Sequence, residues 1–66
     1  MHKEIRRARK VVGFANGEVV GEYEAQTLED VECRAEEMIK AGAESVDYYG
    51  ADPGTGTWLY THSRYK

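Results

Sequence analysis

The alternation of apolar and polar residues near the start of the chain predicts a β-hairpin. Residues 10–15 and residues 18–25 are both rich in valine and aromatic side chains, and Asn16-Gly17 joins them. Asn-Gly is typical of a two-residue type I′ turn, because both central residues of that turn need a positive φ. The first two elements are therefore predicted to be antiparallel strands that meet at this turn.

The turn also predicts which residues face each other across the hairpin. Counting outward from a two-residue turn pairs Phe14 with Val19 and Val12 with Gly21, and successive residues of a strand point to opposite faces. We expect the core face to carry Val12, Phe14, Val19 and Tyr23, and the opposite face to carry Val11, Val20, Glu22 and Glu24.

The next segment has the spacing of an amphipathic helix. Thr27 is a suitable N-cap, with the acidic Asp30 three residues later, and Gly42 is a natural stop signal. The apolar positions between these signals fall on an arc of roughly 100°, as expected for a helix that packs on a core. They are Leu28, Val31, Ala35, Met38, Ile39 and Gly42.

The last third of the chain predicts a second hairpin. Residues 45–50 and residues 57–66 are β-rich, and the segment between them is dense in turn formers. The fold class is therefore α+β, a ββαββ arrangement with one mostly antiparallel sheet and a single helix on one face. Residues 1–66 form one domain, in which residues 1–9 are either a basic arm or an extension of the first strand.

A single helix can cover only one face of this sheet. The other face is expected to present Val11 and Val20, together with either Tyr49 and Leu59 or a stripe of Trp58, Tyr60 and His62. Exposed aromatic area of this kind usually marks an interaction surface. The predicted partner-binding residues of the sheet are Tyr49, Trp58 and Tyr60, and the partner is a larger host protein, a nucleoprotein complex or a second copy of the chain.

Charge is segregated along the chain, although the net charge is only −3. Residues 1–10 hold five cations against Glu4, whereas residues 11–52 hold eleven carboxylates against Arg34 and Lys40. Such segregation bears on the choice of partner rather than on the fold. The helix is predicted to bind a partner through its carboxylates, which could imitate nucleic-acid phosphates or could form an ordinary solvated face. These residues are Glu29, Glu32, Glu36 and Glu37.

The basic segment gives the alternative hypothesis, a nucleic-acid-binding accessory protein. Arg6, Arg7, Arg9 and Lys10 could hold a phosphate backbone, while aromatic side chains stack on bases. The acidic body of the chain disfavours this hypothesis, because nucleic-acid-binding domains are normally basic overall. The same cations could instead pair with the chain's own acidic surface or with an acidic patch on a protein.

The sequence offers no combination of side chains that predicts catalysis, a cofactor or a metal site. Cys33 is the only cysteine, which fits a reducing cytoplasm, and His2 and His62 lie at opposite ends of the chain. Residues 50–57 contain three glycines but lack the lysine and the helix of a phosphate-binding loop. No apolar run reaches the roughly 18 residues of a membrane-spanning helix. We therefore predict a cytoplasmic protein that is not an enzyme.

The order of elements resembles that of small phage-encoded inhibitors. The segment Thr27–Ala35, TLEDVECRA, lies between a hairpin and a second hairpin rich in tyrosine and tryptophan. Some anti-CRISPR proteins, and phage inhibitors of host RNA polymerase, similarly place one helix on a small sheet. The resemblance implies a non-enzymatic inhibitor that blocks a host complex sterically or displaces nucleic acid from it.

Overall fold

The computed structural model describes residues 7–66 as one four-stranded sheet and one helix. The elements are β1 (Ala8–Ala15), β2 (Glu18–Glu24), α1 (Leu28–Lys40), β3 (Ser45–Ala51) and β4 (Trp58–Tyr65). Every neighbouring pair of strands is antiparallel. The predicted ββαββ arrangement of the α+β class is confirmed.

The strand order β2-β1-β3-β4 places β1 and β3 in the centre of the sheet. Because β1 is antiparallel to both of its neighbours, β2 and β3 run parallel to each other on either side of it. Strands that run in the same direction need a long crossover connection, which a helix commonly provides. Here α1 is that connection, and it packs mainly against β1.

The turn of the first hairpin has the predicted conformation. Asn16 has a φ of 54° and Gly17 a φ of 79°, which are the two positive values that a type I′ turn requires. The N–H of Asn16 donates a hydrogen bond of 2.5 Å to Oε1 of Glu44. The carboxylate of Glu44 therefore ties this turn to the segment that precedes β3.

The predicted register of the first hairpin is correct near the turn and wrong beyond it. Phe14 does face Val19, but Val20 has no residue opposite it, and this β-bulge shifts all later pairs by one residue. A shift of one residue moves side chains to the other face of a sheet. Val11 therefore pairs with Tyr23 on the side of α1, whereas Val12 lies on the opposite face.

The helix begins and ends at the predicted signals. The hydroxyl of Thr27 accepts a hydrogen bond of 3.2 Å from the N–H of Asp30, and Gly42 takes a φ of 121° just after the C-cap. Val31 and Ala35 are fully buried, as the apolar arc predicted. The helix is thus positioned by its caps and by one narrow apolar stripe.

The core between α1 and the sheet consists mostly of small side chains. Its buried members are Ala8, Val11, Val31, Ala35, Val46 and Tyr48, with Tyr23, Ala25, Leu28, Met38 and Ile39 around them. Gly13 lies opposite Gly21 below Met38, and a Cβ at Gly13 would come within 3.1 Å of the Met38 sulfur. The glycines therefore allow the helix to pack closely on the first hairpin.

A second β-bulge divides the aromatic residues of the last strand. Tyr49 faces Tyr60 and Tyr48 faces His62, so Thr61 is the extra residue of β4. Trp58 faces Ala51 and shares a face with Tyr49 and Tyr60. The predicted stripe of Trp58, Tyr60 and His62 is wrong in its last member, because the bulge moves His62 to the side of α1.

Candidate functional site

We call the face of the sheet opposite α1 the open face, because no backbone element of residues 7–66 covers it. It brings together the three aromatic residues that the sequence predicted as partner-binding with residues from all four strands. Its principal side chains are Lys10, Val12, Phe14, Glu22, Asp47, Tyr49, Trp58, Tyr60 and Ser63.

Side chains alone shield the centre of the open face. Val12 is only 8% exposed, and the side chain of Lys10 is 17% exposed. The Lys10 ammonium lies 2.8 Å from Oε1 of Glu22 and 5.3 Å from the centre of the Trp58 ring. The hydrogen bond to Glu22 raises the pKa of Lys10 above its ordinary value. The methylene groups of Lys10 therefore cover apolar surface, while the ammonium at the end of the side chain is paired with Glu22.

Tyr60 is exposed, yet its ring and its hydroxyl are both held in place. The side chain is 55% exposed, and the ring makes an edge contact with Tyr49 at 6.0 Å and 75°. Ser63 donates a hydrogen bond of 2.7 Å to Oδ1 of Asp47. The Ser63 oxygen can then accept the proton of the Tyr60 hydroxyl, which lies 2.6 Å away. This Tyr60–Ser63–Asp47 chain fixes an aromatic ring that faces solvent.

Tyr65 provides a comparison on the same strand. It is 74% exposed, and within the described residues its hydroxyl makes no hydrogen bond. Exposure of an aromatic side chain is therefore common to both tyrosines of β4. The fixed orientation distinguishes Tyr60.

Sequence reasoning missed Asp47 and Ser63 as members of this site. Residues three apart in a regular strand, such as Tyr60 and Ser63, point to opposite faces. The bulge at Thr61 places them on the same face. The sequence contains no signal for that bulge, so their contact becomes visible only in the structure.

The predicted acidic surface of the helix is divided between two sides of α1. Glu29, Glu32 and Glu36 line a groove of about 630 Å³ between α1 and β4. Glu37 lies on the other side, where it forms an ion pair of 3.3 Å with Arg34. Only three of the four predicted carboxylates therefore share a surface.

The floor of this groove is aromatic. The rings of Tyr48 and His62 stack with their centres 4.2 Å apart and their planes 3° from parallel. Burial raises the pKa of the Tyr48 hydroxyl, and its hydrogen bond to Arg64 opposes that rise. Tyr48 therefore belongs to the core and keeps its proton at neutral pH.

Several other carboxylates of the acidic middle of the chain have local structural partners. Glu22 pairs with Lys10, Glu44 with the N–H of Asn16, and Asp47 with Ser63. Asp52 accepts hydrogen bonds within the β3–β4 loop. Among these four carboxylates, only Glu22 is paired with a cation; neutral donors hold the other three, which keep their negative charge.

Those of the predicted basic residues that the structure describes do not form an arm separate from the sheet. Arg9 and Lys10 belong to β1, and Arg9 donates a hydrogen bond of 2.7 Å to the carbonyl of Ala8. Lys10 is engaged by Glu22 and Trp58, and Arg7 is exposed just before β1. Arg6 lies outside the described residues.

The remaining chemical candidates yield no further site. Cys33 is an exposed free thiol. Within residues 7–66, no three His, Cys, Asp or Glu side chains are grouped so that they could hold a metal ion. In the same part of the chain, α1 is neither long enough nor apolar enough to cross a membrane.

Comparisons with protein-family models, with curated proteins and with solved structures found no match. The candidate function therefore rests on the geometry of the open face and of the groove beside α1.

Proposed function

We propose that this chain is a non-catalytic protein-binding module whose open face contacts the partner, with Tyr60 as the central anchor. The observation that carries the proposal is the Tyr60–Ser63–Asp47 chain, which holds a ring that is 55% exposed. Tyrosine is one of the residues most enriched at binding hot spots. A side chain that is already ordered loses less entropy when a partner covers it.

The surroundings of Tyr60 favour a protein partner over a nucleic acid. The Lys10 ammonium lies 5.3 Å from the centre of the Trp58 ring, and Glu22 already neutralises it. The hydroxyl of Tyr60 is engaged by Ser63, so the surface offers mainly its ring. Nucleic-acid binding requires cations that can reach phosphates, whereas an aromatic surface with paired charges suits the core of a protein interface.

We propose that this module inhibits a larger host protein or nucleoprotein complex by binding to it. A domain of this kind would act by occupying a surface that the complex needs. The carboxylates of Glu29, Glu32 and Glu36 would then increase the rate of association with a basic partner, since charges near an interface act mainly on the association rate.

The proposal is tested by quantitative affinity capture from an extract of the source cells. The wild-type chain, Tyr60→Ala and the matched control Tyr65→Ala are immobilised at equal density after circular dichroism has shown that all three are folded. We expect a specific partner to be captured by the wild type and by Tyr65→Ala and to be lost from Tyr60→Ala. Capture that is equal for both variants would exclude Tyr60 as the anchor.

A further inference from the structure

A cavity of about 350 Å³ lies on the open face, at the turn of the first hairpin. We call it the turn pocket, and it is lined by residues 14–17 and by Glu44, Ser45, Asp47 and Tyr65. Phe14 faces Ser45 across β1 and β3, and Asp47 lies two residues further along β3 on the same face of the sheet. Ligand pockets begin at about 300 Å³, so the turn pocket suits one side chain of a partner rather than a longer segment.

The turn pocket is negatively charged. Of the described residues that line it, Glu44 and Asp47 carry carboxylates and none is a cation. Within residues 7–66, neither carboxylate makes an ion pair. The pocket lies at the end of β1 far from residue 7, about 20 Å along the strand. A ligand that enters it therefore meets two negative charges that no described cation neutralises.

Each of the two carboxylates has one oxygen engaged by a neutral donor. The N–H of Asn16 donates to Oε1 of Glu44 over 2.5 Å, and the hydroxyl of Ser63 donates to Oδ1 of Asp47 over 2.7 Å. The other oxygen of each carboxylate is left for a ligand.

This arrangement favours an ammonium group over a guanidinium group. The planar fork of a guanidinium matches the two oxygens of one carboxylate, which here are not both open. An ammonium has three donors that can each reach a single oxygen, on different carboxylates. Two single oxygens from separate side chains therefore fit the end of a lysine.

We propose that the turn pocket binds a lysine side chain of the partner protein. The ammonium donates hydrogen bonds to Glu44 and Asp47, and the methylene groups of the lysine pack against Phe14, which is half-buried beside them. Asp47 also holds Ser63 and, through it, the ring of Tyr60. This inference rests on the proposed function, since it specifies a second contact of the partner next to its tyrosine anchor.

The inference is tested without the natural partner, by NMR titration of the isotope-labelled full chain. The probe is Nα-acetyl-L-lysine amide, and Nα-acetyl-L-norleucine amide is the matched probe without the ammonium. We expect saturable shifts of the amide signals of Phe14, Asn16, Ser45 and Asp47 with the lysine probe. The norleucine probe should bind at least roughly tenfold more weakly, because hydrogen bonds to charged groups are lost. Equal binding of the two probes would overturn the inference, and binding of Nα-acetyl-L-arginine amide as tight as that of the lysine probe would overturn the assignment to lysine.

Three variants separate the two carboxylates from a general effect of charge. Glu44→Gln and Asp47→Asn each keep an oxygen that accepts the existing hydrogen bond, and each is expected to weaken binding of the lysine probe by roughly tenfold. Glu36→Gln removes the same charge from α1 and should leave binding unchanged. Equal binding by all three variants would contradict the proposal.

Failure of this inference is distinct from failure of the proposed function. The latter would appear as partner capture that does not depend on Tyr60, whether or not the lysine probe binds. Tyr65 also borders the turn pocket but supplies no charge. Tyr65→Ala therefore keeps both carboxylates and remains a valid control for capture.

Discussion

The two faces of the sheet are closed in different ways. On one face, α1 covers Val11 and Val46, which are both fully buried. On the other, Val12 is reduced to 8% exposure by neighbouring side chains alone. A face that is closed by a helix has no room for a partner. A face that is closed only by side chains keeps its outer aromatic surface available, and this difference is the reason that we propose the open face as the binding surface.

Substitutions at the adjacent residues Val11 and Val12 give the strongest test of this difference between the two faces. Threonine has nearly the shape of valine but adds a hydroxyl, which is costly where it cannot reach a partner or water. We expect Val11→Thr to lower the free energy of unfolding by about 2 kcal/mol. Val12→Thr should lower it by less than about 1 kcal/mol, since water can reach the open face. Urea unfolding of both variants measures the difference, and equal losses would show that the two faces are equally closed.

The glycine pair beneath Met38 tests how closely the helix approaches the sheet. A Cβ at Gly13 would lie 3.1 Å from the Met38 sulfur, whereas a Cβ at Gly21 would come no closer than 3.4 Å to its methyl group. We expect Gly13→Ala to be less stable than Gly21→Ala by about 1 kcal/mol, because overpacking forces shifts of the backbone or of side chains. Thermal unfolding of the two variants measures this. A stability of Gly13→Ala equal to that of Gly21→Ala would mean that Met38 moves aside freely.

Alkaline pH gives a smaller and more local test of the face covered by α1. Burial raises the pKa of Tyr48 above 10.0, so the unfolded chain loses this proton at a lower pH than the folded chain does. The free energy of unfolding therefore falls as the pH rises past about 10. The raised pKa of Lys10 acts in the same direction, because its contribution is complete below its unfolded pKa of 10.5 and is lost as the pH rises through the folded value.

Tyr48→Phe should flatten this alkaline loss of stability, whereas Tyr65→Phe should leave it unchanged. Urea midpoints between about pH 8 and about pH 11 give the slope for each variant. If the stability of Tyr48→Phe falls with rising pH as steeply as that of the wild type, groups other than Tyr48 cause the loss.

Local signals in the sequence predicted most of the fold. Asn16-Gly17, the Thr27 cap and Gly42 each act through the backbone of a few residues, so their effect is readable without knowledge of the tertiary structure. They were sufficient to predict the order of elements and the bounds of the helix to within a residue or two.

The sequence predicted none of the three places where the strand register shifts, and two of them, at Val20 and Thr61, decide which side chains form the site. The bulge at Val20 places Tyr23 on the same face as Val11, and the bulge at Thr61 separates His62 from Tyr60. Whether a strand takes up an extra residue depends on the packing of both its faces and on its neighbouring strand, which the residues of one strand do not reveal. The sequence left two alternatives for the open face, Tyr49 with Leu59 or Trp58 with Tyr60 and His62. The register instead joins Tyr49 to Trp58 and Tyr60 and places Leu59 opposite Gly50, on the side of α1.

The most direct test of the account measures the affinity of the purified partner for three versions of the chain by isothermal titration calorimetry. Tyr60→Ala should weaken binding by about 30-fold or more, the loss that defines a hot spot. Ser63→Ala keeps the ring but removes the hydroxyl that holds it, and it should weaken binding by roughly threefold. Affinities of both variants within about twofold of the wild type would show that the fixed tyrosine of the open face does not bind the partner.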